Sequence, residues 1–268
     1  MQLAYPLLNK VAIVTGGSRG IGAATCVELA SRGAKVALTH VSERSKAKAE
    51  QVAKEVEEAH KKRDRNSDAS VVVIQADAES LESPKKIVQE TLRAFKTDTI
   101  DILVNNAGMS DDQFLPDVTP EVYEKVMNVN CRGVIFLTQA VLPHFPKPRG
   151  GRIVNVSSVS ATEGFFGQTV YAASKAAMDG FTRVWATELG RKYGVTVNGI
   201  NPGPVDTDMF NNASDEFEKM VFETCPPSAE NRRAHPQDIA DIIGFLVDEK
   251  SRWVTGDIVC ANGGGIYF

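Results

Sequence analysis

Cysteine and histidine are scarce, with four of each in 268 residues. Cys26, Cys131, Cys225 and Cys260 stand far apart without a Cys-x-x-Cys spacing, and the histidines do not cluster, so neither a disulfide framework nor a metal site is expected. The thiols read as buried or idle groups in a reducing compartment. An excess of one charge is lacking too: 30 Lys and Arg against 34 Asp and Glu leave a formal net charge of -4. No basic run alternates with aromatic residues, which argues against nucleic acid as a partner. No apolar run approaches the ~20 residues of a membrane span. The opening Met1-Gln2-Leu3-Ala4-Tyr5-Pro6 has neither the basic region nor the long apolar region of a signal peptide. A soluble, cytoplasmic protein that does not engage a membrane is expected. Repeats and low-complexity tracts are missing as well.

What is present is an alternation of short apolar, β-branched runs with amphipathic stretches. Strands are expected near 11–15, 35–39, 71–75, 100–104, 152–156, 195–200 and 258–260, with helices between them. Such alternation implies an α/β protein with a parallel sheet covered on both faces. The length suits one domain, 1–268, with a full core. The mixed-charge run Lys61 to Asp68 reads as a solvated loop. Pro143 to Gly151 is rich in helix breakers and ends a long helix expected from Tyr123 to Leu142.

Two local patterns carry chemistry. Lys10-Val11-Ala12-Ile13-Val14 flows into Thr15-Gly16-Gly17-Ser18-Arg19-Gly20-Ile21-Gly22 and then into a helical stretch from Ala23 to Ser31, which reads as strand, glycine loop and helix. Glycines there permit positive φ and let backbone N–H groups approach a pyrophosphate at a helix N-terminus. Further on, Tyr171 and Lys175 lie four residues apart and share one helix face. An ammonium beside a phenol favours the phenolate, so the pair is expected to lower the tyrosine pKa and to suit proton exchange with a carbonyl or alcohol.

With Asn105-Asn106-Ala107-Gly108 after the fourth strand and Pro202-Gly203 after the sixth, the chain resembles the short-chain dehydrogenase/reductase family along nearly its whole length. The resemblance implies a Rossmann-type doubly wound parallel sheet of about seven strands. Gly16, Ser18, Arg19, Gly20, Ile21 and Gly22 would cradle the dinucleotide, and Asp77 and Ala78 would meet the adenine. Asn105, Ala107, Gly108, Pro202, Gly203, Val205 and Thr207 would line the remainder of its path. The family's reaction would place Tyr171 as proton donor to a carbonyl while nicotinamide delivers hydride, with Lys175 on the ribose hydroxyls and Ser158 orienting the carbonyl. Ser157 competes with Ser158. Asn130 matches the asparagine that anchors a water in the proton relay, with Asn128 as its alternative.

At the end of the second strand NAD enzymes carry a carboxylate, whereas this chain carries His40, followed by Ser42 and Arg44. With Arg19 in the loop, these residues offer a cation and donors to a 2′-phosphate, so NADP(H) is the expected cofactor. Ser158, Phe165, Gln168, Met209 and Phe210 are expected around a small-molecule carbonyl substrate, with Phe166, Met109 and Ser110 nearby. An aromatic wall suits a flat or apolar ketone. The C-terminal Asn262-Gly263-Gly264-Gly265-Ile266 and the Asp206-Thr207-Asp208-Met209-Phe210 run resemble those of fungal polyketide-type naphthol and anthraquinone reductases. A 3-oxoacyl carrier-protein reductase is the alternative, with Arg149 and Lys192 facing the carrier; a non-catalytic NADPH-binding sensor or scaffold is the alternative of another class. The segment 208–233, which holds Met209, Phe210, Phe217, Met220 and Phe222, reads as a substrate lid or as apolar residues sealing a helix pair. The resemblance also implies a homotetramer built through 120–142 and 170–192.

Overall fold

The computed structural model describes residues 6–62, 70–211, 219–221, 223, 230 and 232–267. Seven parallel strands form one sheet: β1 (Val11–Val14), β2 (Lys35–His40), β3 (Val71–Gln75), β4 (Ile102–Asn105), β5 (Gly151–Val156), β6 (Val195–Pro202) and β7 (Ile258–Ala261). Their spatial order is β3-β2-β1-β4-β5-β6-β7, the doubly wound arrangement the alternation implied. The β-branched, fully buried Val11–Val14 run forms an interior strand because both of its faces must be covered. Its side chains alternate: Ala12 and Val14 enter one core cluster with Leu29, Ile239 and Ile243, while Val11 and Ile13 enter the other with Ile87, Leu137 and Ile153.

The first cluster lies under α1 (Gly20–Ser31), α2 (Glu43–Lys61) and a late helix over Pro236–Leu246; the second lies under α3 (Ser83–Phe95) and the helices before and after β5. Sequence order reverses at β1, where the chain has added β2 and β3 on one side and then returns to add β4 on the other. In such sheets the crevice at the strand C-termini beside the reversal receives ligands. Register places Val14 opposite Val104, so the glycine loop after β1 and the Asn105-Asn106 pair leave the sheet side by side.

The expected long helix at 123–142 is not continuous. It divides into α4 (Pro120–Met127), a π-helical turn at Asn128–Arg132 and α5 (Gly133–Val141), before a 3₁₀ turn at Leu142–His144. At the end of the π turn, a Cβ on Gly133 would fall on the Ala78 carbonyl oxygen. The close approach of α5 to the loop after β3 thus requires glycine. Next come α6 (Thr169–Tyr193), a short α7 (Asp208–Asn211) and α8, the Pro236–Leu246 helix. Among the described residues no helix is long and apolar enough to cross a membrane. Residues 63–68 of the expected solvated loop, and Phe217, Phe222 and Cys225 of the expected lid segment, lie outside the described residues.

Candidate active site

A cleft of about 710 Å³ runs along the strand C-termini, and nearly every residue singled out from the sequence lines it. At one end the chain turns at Gly16 and Gly20, whose φ values of 65° and 55° favour glycine. Gly22 is required by contact instead, because a Cβ there would collide with the Gly16 carbonyl oxygen. Thr39 holds the loop from β2, its Oγ1 accepting from Gly16 N at 3.1 Å. Helix α1 begins at Gly20 with Arg19 at its N-cap and has no acidic residue in its first turn. Arginine offers no acceptor to the N-terminal amides, which therefore remain suited to an anion such as a pyrophosphate. The cradle fits a dinucleotide.

Asn105 and Asn106 divide the work unequally. The Asn105 side chain turns into the core, its Nδ2 donating to Asn155 Oδ1 at 2.9 Å and Thr138 Oγ1 at 3.2 Å, so the main chain is what it presents to the cleft. This narrows the cofactor-binding expectation for Asn105. The neighbour Asn106, not chosen from the sequence, donates from Nδ2 to Thr15 O at 2.8 Å and ties the glycine loop to β4. At the adenine end, Asp77 Oδ1 accepts from Glu79 N at 2.9 Å, a turn-forming role that still leaves the residue on the cleft wall beside Ala78. Ser42 is engaged in starting α2: its N–H donates to Ser45 Oγ at 3.2 Å and its carbonyl accepts from Ser45 Oγ at 2.8 Å. His40 Nδ1 lies 3.0 Å from the Ser42 carbonyl, and since a carbonyl only accepts, that nitrogen carries a proton.

At the centre, α6 presents Tyr171 and Lys175 to the cleft. Ser158 lines the cleft beside Tyr171, its Oγ accepting from Ser160 N at 3.1 Å, whereas Ser157 donates to the Lys175 carbonyl at 3.0 Å. Adjacent residues at a strand end point to opposite sides, which separates Ser158 from its competitor. Lys175 is 4% exposed and donates from Nζ to Val156 O at 2.9 Å, with Nζ 5.6 Å from the Tyr171 ring centre. Burial brings the ammonium down from its ordinary 10.5 to about 8, against the opposing pull of Cys131 and Asp179. The expected depression of the tyrosine is not found: burial pushes Tyr171 up to about 12, opposed by the Ser158 hydroxyl and reinforced by the Asp112 carboxylate. Desolvation of the phenolate outweighs a lysine whose Nζ is directed at a carbonyl.

Behind them sits Asn130, wholly buried in the π turn and not on the cleft wall. Its Oδ1 accepts from Met109 N and its Nδ2 donates to Met109 O and Ser174 Oγ, each at 2.9 Å. Asn128, its alternative, points elsewhere and donates to Glu79 Oε1 at 3.3 Å. Asp179, one turn beyond Lys175, escaped the sequence reading; it is buried and accepts from Asn201 Nδ2 at 3.3 Å.

The chain's short chain dehydrogenase match spans residues 10–218. The chain belongs to the short-chain dehydrogenase/reductase family. As a member of it, the protein is an oxidoreductase. It is 48% identical to the short-chain dehydrogenase/reductase FrzI of Cladobotryum sp, with 96% of each chain covered. It is 38% identical to the hydroxynaphthalene reductase-like protein Arp2 of Metarhizium robertsii, over 97% of this chain and 96% of the relative. With the L-xylulose reductase of Aspergillus niger it shares 36% identity over 98% and 99%. The solved short chain dehydrogenase of Burkholderia cenocepacia in complex with NADP superposes with a TM-score of 0.85 at 35% identity, over 97% of this chain and 99% of that one.

The far end of the cleft is apolar. Phe165 is buried with Val159, Val221 and Ile266, joined by the partly buried Phe210 and Met220, in a cluster separate from the two beneath the sheet. Phe166, by contrast, is 72% exposed and lies outside the lining. Gln168 is buried on the wall, and Met209 lines it while half exposed. Thr207 takes the N-cap role open to a threonine before a helix, its Oγ1 accepting weakly from Phe210 N at 3.5 Å, and its methyl packs against the glycine loop at Gly20.

Proposed function

We propose that this short-chain dehydrogenase is an NADPH-dependent reductase of a ring-bearing or otherwise apolar ketone, with Tyr171 as the general acid. The observation that carries the reading is the convergence of Ser158, Tyr171 and Lys175 in one cleft that continues into the glycine cradle. NADPH, when bound, supplies the hydride. Ser158 and Tyr171 together offer the carbonyl oxygen two hydroxyl groups. A phenol whose pKa is pushed up to about 12 is fully protonated near neutral pH, the form that a reduction requires of its acid. Once the proton has gone, the partly desolvated phenolate needs compensation, which the Lys175 ammonium and the Ser158 hydroxyl are placed to provide. Asn130 fixes the Met109 backbone beside them.

Preference for NADPH over NADH rests on His40 where a carboxylate would repel a 2′-phosphate, with Arg19 and Arg44 on the same wall. The protein in the NADP complex described above has the same overall fold. An apolar substrate is favoured by Phe165, Val159 and Phe210 at the far end, and by the similarity to a hydroxynaphthalene reductase-like protein. The similarity to an L-xylulose reductase makes a keto-sugar the proper counter-substrate.

The test is NADPH consumption with naphthols, aryl ketones and quinones set against keto-sugars and acyl thioesters, in wild type and Tyr171→Phe. Turnover of a ring ketone is expected, falling by about two to four powers of ten in the variant while the NADPH Kd stays within about twofold. Near wild-type turnover by Tyr171→Phe removes the acid, and turnover of keto-sugars alone removes the substrate class.

A further inference from the structure

Three elements meet over the rim of the cofactor cleft. Arg19 at the start of α1 and Lys48 on α2 both donate to one oxygen of Asp208, the first residue of α7, at 3.2 and 2.8 Å. All three residues line the cleft, beside His40 and Arg44. Their side chains are 64%, 59% and 44% exposed, respectively for Arg19, Lys48 and Asp208, so as a surface ion pair the arrangement contributes little to folding stability. Its position is what matters. The two cations come from different elements and are drawn together by a carboxylate at the corner where, on the reading above, a 2′-phosphate is received.

We propose that Asp208 is an internal rival of the NADPH 2′-phosphate for Arg19 and Lys48, and that Lys48 is a selectivity residue for the phosphorylated cofactor. This rests on the NADPH reading of the cleft. Charge decides the competition. A phosphate monoester carries about −1.5 to −2 near neutral pH and offers three acceptor oxygens, against one unit on the carboxylate. Both anions on the same pair of cations would repel one another, so the phosphate takes the cations and Asp208 gives them up. An unphosphorylated cofactor brings no such charge and leaves the Asp208 contacts in place. Lys48 lies four residues after Arg44 on α2 and so shares its face, which brings both cations to the cleft wall.

The proposal predicts opposite signs for two substitutions of the intact protein. Calorimetric titration with 2′,5′-ADP and with 5′-AMP isolates the phosphate from the rest of the cofactor. Asp208→Asn is expected to tighten 2′,5′-ADP about threefold, the worth of an exposed ion pair, and Lys48→Met to weaken it about tenfold, the worth of a charged hydrogen bond. Binding of 5′-AMP is expected to change less than twofold in either variant. Weaker 2′,5′-ADP binding, or no change, in Asp208→Asn overturns the rivalry, as does a Lys48→Met that affects both ligands equally or neither. Wild-type protein that binds the two ligands equally well overturns the NADPH reading itself, and the proposal with it. A wild-type preference accompanied by silent variants overturns the proposal alone.

Discussion

The cofactor half of the cleft is shaped by main chain, with Gly16 and Gly20 at positive φ and Gly22 pressed on the Gly16 carbonyl, while the substrate half is shaped by side chains packed around Phe165. The first rests directly on β1 and β4, whose residues are buried in the two large core clusters. The second is a small separate cluster assembled from Val159, Phe165, Val221 and Ile266, drawn from three separate stretches of the chain. Backbone geometry of the first kind serves any dinucleotide and tolerates little change. A side-chain cluster of the second kind can be exchanged residue by residue, which is how one fold takes many carbonyl compounds.

That contrast can be broken from either side. The largest effect is expected from Gly22→Ala, whose added methyl must displace the Gly16 carbonyl; NADPH affinity should fall by about 100-fold, measured by fluorescence titration after circular dichroism has established that the variant folds. Retained affinity would mean that the loop is not a rigid cradle. Phe165→Ala should act on the other half alone, raising KM for a ring ketone about tenfold with the NADPH Kd unchanged. A matching loss of cofactor affinity would show the two halves to be one unit.

A smaller effect concerns Lys175, at the junction of the halves. Folded, its amine loses a proton near pH 8; unfolded, it does so near 10.5, so unfolding takes up a proton in that window and stability rises with pH through it. Denaturation midpoints between pH 8 and 9.5 should register a gain of about 1 kcal/mol that Lys175→Met abolishes. Tyr171 acts in the opposite sense from about pH 10 upward, because its folded value of about 12 lies above its ordinary 10. A flat wild-type profile would show that the amine is better solvated than its surroundings imply.

All seven strands were legible in the sequence because buried parallel strands are written as short β-branched runs, and the glycine loop because its spacing follows such a run. The lining of the candidate site was legible wherever one residue type at one place marks it, as at Tyr171, Lys175 and Gly16, which the cleft brings together. It was less so where direction decides. Asn105 and Asn106 are chemically identical, and only the pleat turns the first toward Thr138 and Asn155 and the second toward Thr15. The same alternation separates Ser157 from Ser158. Desolvation of Tyr171 comes from the cleft it lines, so the sign of its shift could not be read from its lysine neighbour alone. Lys48 did leave a trace, standing one helical turn beyond Arg44 on a stretch already read as a helix.

The π turn at Asn128–Arg132 bears on how far this molecule can be hardened against heat. A helix carrying one surplus residue sets everything beyond it off by roughly 100° relative to an unbroken helix. Selection for thermal tolerance would favour shedding that residue, since the straight helix forms better hydrogen bonds. The same deletion would swing Asn130 away from Met109 and Ser174 and release the backbone beside Lys175. On the role proposed for Asn130, heat resistance and turnover draw on a single turn, and a more durable descendant of this enzyme would find its gains elsewhere.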